Sequence, residues 1–550
     1  MIRLWFKTGS PWVWLTASAV SISLILVFGL LLLIAVRGLG HFWPAAIWAL
    51  EYVENNGDKI HLAGEIHEQE TVSAQRLRDA GIVIEGNAEI IRYLLKTGNR
   101  DISGQDFRWI TATKIQAKTS PFAIMAVERR EWGMLYGYLV DVRENQQTVS
   151  EGTVAWGDLQ QRLLRVDKLF SDIRRLEKGE IGRINYGLER LRLQQRALQL
   201  DGTDSPAQRE QFKQKRAAYN AEYAGLQKQL ADLYAAINRD QMTVRTANGK
   251  IVTLPLSKVV RAYRPNAMLM IEKLQFYVMK LWEFVSDEPR EANTEGGIFP
   301  AIFGTVMMVI VMSIMVVPFG VIAAVYLREY ARQGLLTRII RIAVNNLAGV
   351  PSIVYGIFGL GFFVYFLGGN IDQLFYPEAL PAPTFGTPGL LWSSLTLALL
   401  TVPVVIVATE EGLSRIPKSV REGSLALGAT KAETLWRTVL PMASPAIMTG
   451  LILAIARAAG EVAPLMLVGV VKLAPSLPLD TNLPFLHLER KFMHLGFHIY
   501  DVGFQSPNVE AARPLVYATA LLLVLVIVAL NLAAIAIRNR LREKYRSLEN

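Results

Sequence analysis

Six apolar runs, each long enough to cross a bilayer, constrain this chain more than any other feature. They cover about Trp12–Val36, Phe299–Leu327, Ala343–Leu367, Leu390–Thr409, Ala443–Val470 and Pro514–Ile537. Hydrocarbon offers no partner to a backbone N–H or C=O, so a spanning segment of about 20 residues must bond within itself as a helix. The expected fold class is therefore an all-α polytopic membrane protein with about six transmembrane helices. The first run is too long for the core of a cleavable signal peptide and lacks a small-x-small cleavage site, so residues 1–40 read as an uncleaved anchor. Residues 41–295 form a polar insert after that anchor, residues 296–540 hold the remaining spans, and residues 541–550 form a polar tail.

The short loops set the orientation. Arg328, Arg332, Arg338 and Arg341 follow the second span, and Arg415, Lys418, Arg421, Lys431 and Arg437 follow the fourth. Arg538, Arg540, Arg542, Lys544 and Arg546 follow the sixth, and Arg3 and Lys7 precede the first. Basic residues beside spans stay in the cytoplasm, so the insert, Gly368–Gly389 and Lys472–Arg513 face outward. The net charge of +10 does not point to nucleic acid. The insert is nearly balanced, with 36 Lys and Arg against 34 Asp and Glu, so the surplus lies beside the spans. There is no cysteine, which excludes a disulfide framework, a thiolate metal site and a thiol nucleophile.

Within the insert, Gly81–Lys96 alternates strand-like and helical patterning, and Phe107–Val142 reads as sheet. Leu159, Leu163, Val166, Leu169, Ile173 and Leu176 recur at helical steps, and Ile181, Ile184, Leu188 and Leu191 resume after a slip. The turn Asp201–Pro206 then sends a second helix back to about Ile237. This predicts an antiparallel helical hairpin of coiled-coil character over about 157–240, giving a mixed α/β and coiled-coil insert. Asn248-Gly249 between Thr243–Arg245 and Ile251–Leu254 predicts a β-hairpin.

The stretch Arg421–Pro441 is polar and helix-forming, yet lies between two spans. Gly428 suits the left-handed position after a helix end, and Thr430 with Glu433 has capping-box spacing. Pro441 reads as the end of the second short helix, and Ser444-Pro445 as the start of the next span. Such an elbow suits docking onto a soluble partner. It resembles the EAA loop of ABC-importer permeases through Glu422-Gly423-Ser424, Gly428 and Leu440-Pro441, with two alanines replaced. The resemblance implies that Glu422, Gly428, Leu440 and Pro441 couple the chain to an ATP-hydrolysing subunit.

Arg457 and Glu461 stand four residues apart in an apolar run, about 22 Å into it at 1.5 Å per residue. A charge at that depth is costly unless it is paired or faces water, which makes it a pathway residue by default. A guanidinium fork matches an oxyanion, and Glu461 could hold that fork when no ion is bound; the pair could equally lock two helices together. Pro464 cannot donate to the Gly460 carbonyl, which weakens the helix beside the charges. Pro318 with Gly320, Pro351 and Pro403 read as hinges or static kinks. Ser352, Asn346 and Thr401 are small polar groups for the pathway or for helix-to-helix hydrogen bonds. His494, His498 and His487 lack an acidic or cysteine partner, so they read as surface histidines and no metal site is expected.

The segments Asn346–Gly356 and Ala456–Leu465 resemble phosphate-importer permeases of the PstA type, although Val462 stands where a Thr is expected. The long N-terminal region is similar to a longer variant of that family in some Gram-negative bacteria. The resemblance covers only residues from about 296 onward. It implies an inner-membrane complex with a PstC-like permease, a PstB-like ATPase dimer and a PstS-like periplasmic phosphate-binding protein. It also makes Phe497, Tyr500 and Phe504, beside Ile499 in the run up to Pro507, the expected contacts for the binding protein. No Walker-type loop is present, since Gly249-Lys250 lacks the upstream glycine, and no nucleophile–base set appears. The chain is expected not to be an enzyme and to hold no cofactor, with ATP and Mg bound by the partner ATPase. Alternatives are a permease for sulfate or molybdate, or a membrane-anchored sensor or scaffold working through the external hairpin.

Overall fold

The computed structural model describes residues 9–79, 89–290, 293–506 and 509–545. Arg3, Lys7, Pro507, Arg546 and the start of the Gly81–Lys96 segment lie outside the described residues. The chain divides into two compact units, one made of Met1–His41 with Ile298–Asn550 and the other of Phe42–Gly297.

In the first unit, six helices among the described residues are long and apolar enough to cross a membrane. They are Pro11–Gly40, Phe299–Tyr330, Ser352–Phe375, Leu390–Arg415, Lys431–Gly460 and Ala512–Lys544, called here the first to sixth spans. The fourth is the structural axis, packed between the second and fifth. Small residues make this close approach possible. A Cβ on Gly450 would stand 2.7 Å from the Ala408 Cβ, and one on Gly412 2.5 Å from the Ala446 Cβ. Apolar side chains from these helices, including Met308, Met312, Leu397, Leu400 and Ala458, form a continuous buried core. The first span exposes most of its side chains and packs on the sixth.

Three boundaries differ from the sequence expectation. The third span starts at Ser352 and not near Ala343, because Leu335–Leu347 is a separate amphipathic helix. Pro351 is the N-cap of the third span and interrupts nothing. Without an N–H, proline costs least at a helix start. Pro318 and Pro403 do lie inside the second and fourth spans. Pro441 does not stop the elbow's second helix, and Ser444 and Pro445 do not begin a new one. The helix runs unbroken from Lys431 to Gly460 through a π-helical turn at Leu435–Val439. The wider turn shifts the pairing just before Pro441, where an α-helix would need the missing N–H. The fifth span ends at Gly460 and not near Val470. Glu461 is extended (φ −78°, ψ 136°), and a short helix, Leu465–Val468, follows Pro464.

Among its described residues the second unit holds two large antiparallel sheets and a short pairing of Pro289–Arg290 with Glu295–Gly296. Strands β1 (Ile47–Val53), β2 (Lys59–Ser73), β3 (Glu89–Lys96), β4 (Phe107–Thr111) and β5 (Ile115–Thr119) pair in the order β4-β3-β2-β1-β5. Strands β6 (Met125–Arg129), β7 (Met134–Glu144), β8 (Gln147–Glu151), β9 (Asp240–Arg245), β10 (Ile251–Pro255) and β11 (Val259–Tyr263) give the order β10-β9-β7-β6-β11, with β8 on β7. The β9–β10 hairpin pairs Arg245 with Ile251 around Gly249, whose φ is +82°.

The helical hairpin leaves the second sheet as Gly152–Arg174, continues as Gly182–Leu200 and returns as Pro206–Ile237, which Ser205 and Gln208 cap reciprocally. The slip in apolar period between Leu176 and Ile181 is a π-helical turn, Arg175–Ile181. Its base is anchored by Leu159, Leu163, Val166 and Ile173 against Met125, Val127 and Met242. Among the buried residues of Gly182–Leu200 only Ile184 appears, so the outer arm is solvated.

Candidate translocation and coupling site

The elbow after the fourth span is built from local rules. Helix Lys418–Ala426 ends as Gly428 turns to φ +88°, with its N–H bonded to the Leu425 carbonyl at 3.0 Å. A left-handed residue there satisfies carbonyls that the helix end leaves free, and glycine does so without Cβ strain. Thr430 Oγ1 accepts from the Glu433 N–H at 3.2 Å, and Glu433 accepts from the Thr430 N–H at 2.9 Å. The hydroxyls of Ser424 and Thr434 bond at 2.9 Å and tie the two short helices together.

A charged staple then fixes the elbow to the end of the second span. Arg421 Nη2 lies 2.7 Å from Glu329 Oε1 and donates to the Leu413 carbonyl at 2.8 Å, while Nη1 donates to Ile416 at 2.8 Å. Lys431 donates to the Glu329 carbonyl and covers the Tyr330 ring. Beneath, Leu413, Ile416, Leu435, Val439 and Ala443 form a buried cluster. The outer surface is left apolar, with Leu427 91 % and Trp436 74 % exposed, and Glu422 is exposed beside them. Leu440 and Pro441 lie half-buried in the continuous helix.

The far end of that helix carries Arg457 in its last turn. Arg457 Nε and Glu461 Oε1 are 3.7 Å apart, an ion pair too long for a hydrogen bond, and both side chains are half-buried. Among the described residues the Arg457 guanidinium makes no hydrogen bond, so its donors remain for another acceptor. The segment after Glu461 meets the start of the third span. A Cβ on Gly356 would stand 2.7 Å from the Pro464 Cα, and Tyr355, one residue earlier, donates to the Leu347 carbonyl at 2.7 Å. The fold thus joins the two segments Asn346–Gly356 and Ala456–Leu465. Ser352 lies in the first turn of the third span, half-buried. Thr401 is fully buried in the fourth span, and its hydroxyl donates to Leu397 at 2.8 Å within its own helix.

Residues 316–547 match the family model described as the binding-protein-dependent transport system inner membrane component. Over 245 residues the chain is 37 % identical to the phosphate transport system permease protein PstA 1 of Mycobacterium tuberculosis, covering 44 % of this chain and 71 % of that one. It is 36 % identical over 268 residues to PstA of Mycobacterium leprae, with 48 % and 78 % covered. PstA of Yersinia pestis is 32 % identical over 256 residues, with 46 % and 77 % covered. The chain belongs to this family of transport permeases.

The permease carries further charged features that its sequence did not announce. Arg341 bonds Glu410 of the fourth span at 3.1 Å, at the wall of a cleft of about 290 Å³ also lined by Leu327, Asn345 and Ile406. Glu329 with Arg421 and Arg341 with Glu410 are separated in sequence by 92 and 69 residues, so no local pattern pairs them.

The histidines are not on the surface, as expected from sequence, but buried. His487, His494 and His498 are each at most 2 % exposed. His494 Nδ1 accepts from the Gly496 N–H at 3.1 Å, capping helix Leu495–Tyr500, and burial lowers its pKa to about 4. His487 does have acidic neighbours, Asp480 and Glu489, each at 3.0 Å. Burial opposes ionisation of Asp480, yet the Asn482 amide and Arg490 hold its pKa at about 2. Phe497, Tyr500 and Phe504 lie ring beside ring in tilted pairs, with centroids 6.2 and 5.7 Å apart. Phe497 packs on the membrane core, whereas Phe504 is 76 % exposed.

Proposed function

We propose that the chain is a permease subunit of an ATP-driven importer of inorganic phosphate. The observation that carries this reading is the packing of Gly356 on Pro464 beyond the end of the fifth span, whose last turn holds Arg457 in only a loose 3.7 Å ion pair with Glu461. A forked donor in apolar surroundings suits a tetrahedral oxyanion. Relatives that share this half of the chain carry names of phosphate transport. The exposed Leu427, Trp436 and Glu422 form a surface for an ATPase that supplies the hydrolysis. A second, PstC-like permease would close the half-open side of Arg457, and a PstB-like ATPase dimer would bind ATP and Mg. A PstS-like binding protein would deliver phosphate near Phe504. In this reading the membrane is a Gram-negative inner membrane, with the basic loops, the elbow and both termini inside and residues 41–295 in the periplasm.

The test is uptake into vesicles holding the assembled complex, with ATP on the elbow side and binding protein opposite. Labelled phosphate should enter and should resist competition by sulfate and molybdate. Transport of either competitor in place of phosphate would assign a different oxyanion. Absence of ATP-dependent uptake of all three would remove the transport reading.

A further inference from the structure

Helix Met270–Ser286 is built inside out. Its inward face carries charge beside the buried Phe276 and Phe284: Lys280 Nζ lies 2.9 Å from Glu128, and Glu283 pairs with Arg261 and Arg290 at 3.1 Å each. Its outward face is apolar, with Ile271 65 %, Leu274 55 %, Val278 58 % and Trp282 72 % exposed. These residues recur at three- and four-residue steps and so form one stripe. A surface helix of a water-soluble domain turns its apolar stripe inward and its charges out. Here charges are removed from water on one side while an apolar stripe is presented on the other, an arrangement that water disfavours on both counts.

Chain continuity identifies the other medium. Phe42 packs on Phe284 with ring centroids 4.9 Å apart, and Trp43 on Tyr277 at 5.8 Å. The first span ends at Gly40, so the side chains that pin this helix are among the first to leave the membrane. At its other end, Ser286 leads through residues 287–298 into the second span at Phe299. Both covalent links between the domain and the bilayer therefore converge on one helix. Trp43, Tyr277 and Trp282 are residue types that settle at the lipid–water boundary. Exposed Leu269 and Met270 continue the apolar face. Asn266 adds to that end by donating to the Pro121 carbonyl at 3.0 Å, which holds the turn bearing the exposed Phe122.

We infer that Met270–Ser286 lies in the membrane interface, with phospholipid acyl chains covering Ile271, Leu274, Val278 and Trp282. The site is an extension of the bilayer contact made by the spans, and it is independent of which ion is carried. The absence of native cysteine makes the test direct. Single cysteines at those four exposed positions of the full chain are spin-labelled and reconstituted in phosphatidylethanolamine–phosphatidylglycerol vesicles. Power saturation then compares access of oxygen with access of a water-soluble nickel chelate. Ile25 on the first span calibrates lipid, and Thr203 at the hairpin tip calibrates water. The stripe should shift to the oxygen-rich, nickel-poor ratio of Ile25. A ratio like that of Thr203 would overturn the inference. So would low access to both reagents or dipolar broadening between neighbouring chains, either of which would mean a protein cover.

Discussion

Arg457 makes its only charged contact among the described residues with Glu461, across 3.7 Å. If the guanidinium meets the transported anion as a fork, Arg457→Lys keeps the charge but loses paired hydrogen bonds worth about 1.5–3 kcal/mol. Uptake by vesicles containing the complex should then fall roughly ten- to a hundredfold, with assembly intact. Glu461→Gln should cost less, because the contact is loose. A packing lock gives the opposite pattern: each single change destabilises, and Arg457→Met with Glu461→Leu restores transport. Uptake surviving in that double variant would take the pair off the anion path. The proximity of Arg457 and Glu461 was legible in sequence because charges in an apolar run are conspicuous. The Glu329–Arg421 staple was not, since each member lies among ordinary juxtamembrane charges. The burial of His487, His494 and His498 also depends on distant segments folding over them.

At the scale of elements, Gly428 stands in open space, so Gly428→Val tests backbone conformation alone. Valine at φ +88° should cost a kcal/mol or more and displace the elbow. ATPase co-purification or ATP-driven uptake should drop while membrane insertion persists; full uptake would separate the elbow from coupling. Glu295 tests a different element, the short pairing of Pro289–Arg290 with Glu295–Gly296. Burial pushes its carboxyl pKa up to about 7 from 4.5. The folded unit therefore prefers the neutral acid, and this contribution is full below about pH 4.5 and lost as pH rises through 7. Glu295→Gln should raise the tryptophan-detected melting midpoint of the full chain at pH 8.5, by up to about 3 kcal/mol of stability, and change little at pH 4.5. An equal effect at both values would mean that ionisation is not involved. Elements set by neighbours in sequence were readable: the capping box, the Asn248-Gly249 turn and the slip at Leu176–Ile181. Which face of Met270–Ser286 points inward depends on Glu128, 152 residues from Lys280 in the chain. Pro441 misled because a proline's effect depends on whether the preceding turn is α or π.

For the whole molecule, the distribution of basic residues makes a claim about sides. Gly202 has φ +68°, so the neighbouring exposed Thr203 is the better place for a reporter. Thr203→Cys should react with an impermeant thiol reagent in cells whose outer membrane is permeabilised. Reaction only after the inner membrane is broken would reverse the topology. The continuous helix Lys431–Gly460 has a further consequence. At 30 residues it is a rod about 45 Å long, with Trp436 near one end and Arg457 near the other. Such a rod transmits twist as well as thrust, so the two ends are timed to each other like cams on one shaft. The α-helical turns between them set that timing. Deleting one residue from the α-helical stretch between Leu440 and Arg457 would rotate the elbow by about 100° relative to Arg457. The partner ATPase should then keep hydrolysing ATP while uptake stops, a shaft that still turns with its cams out of phase.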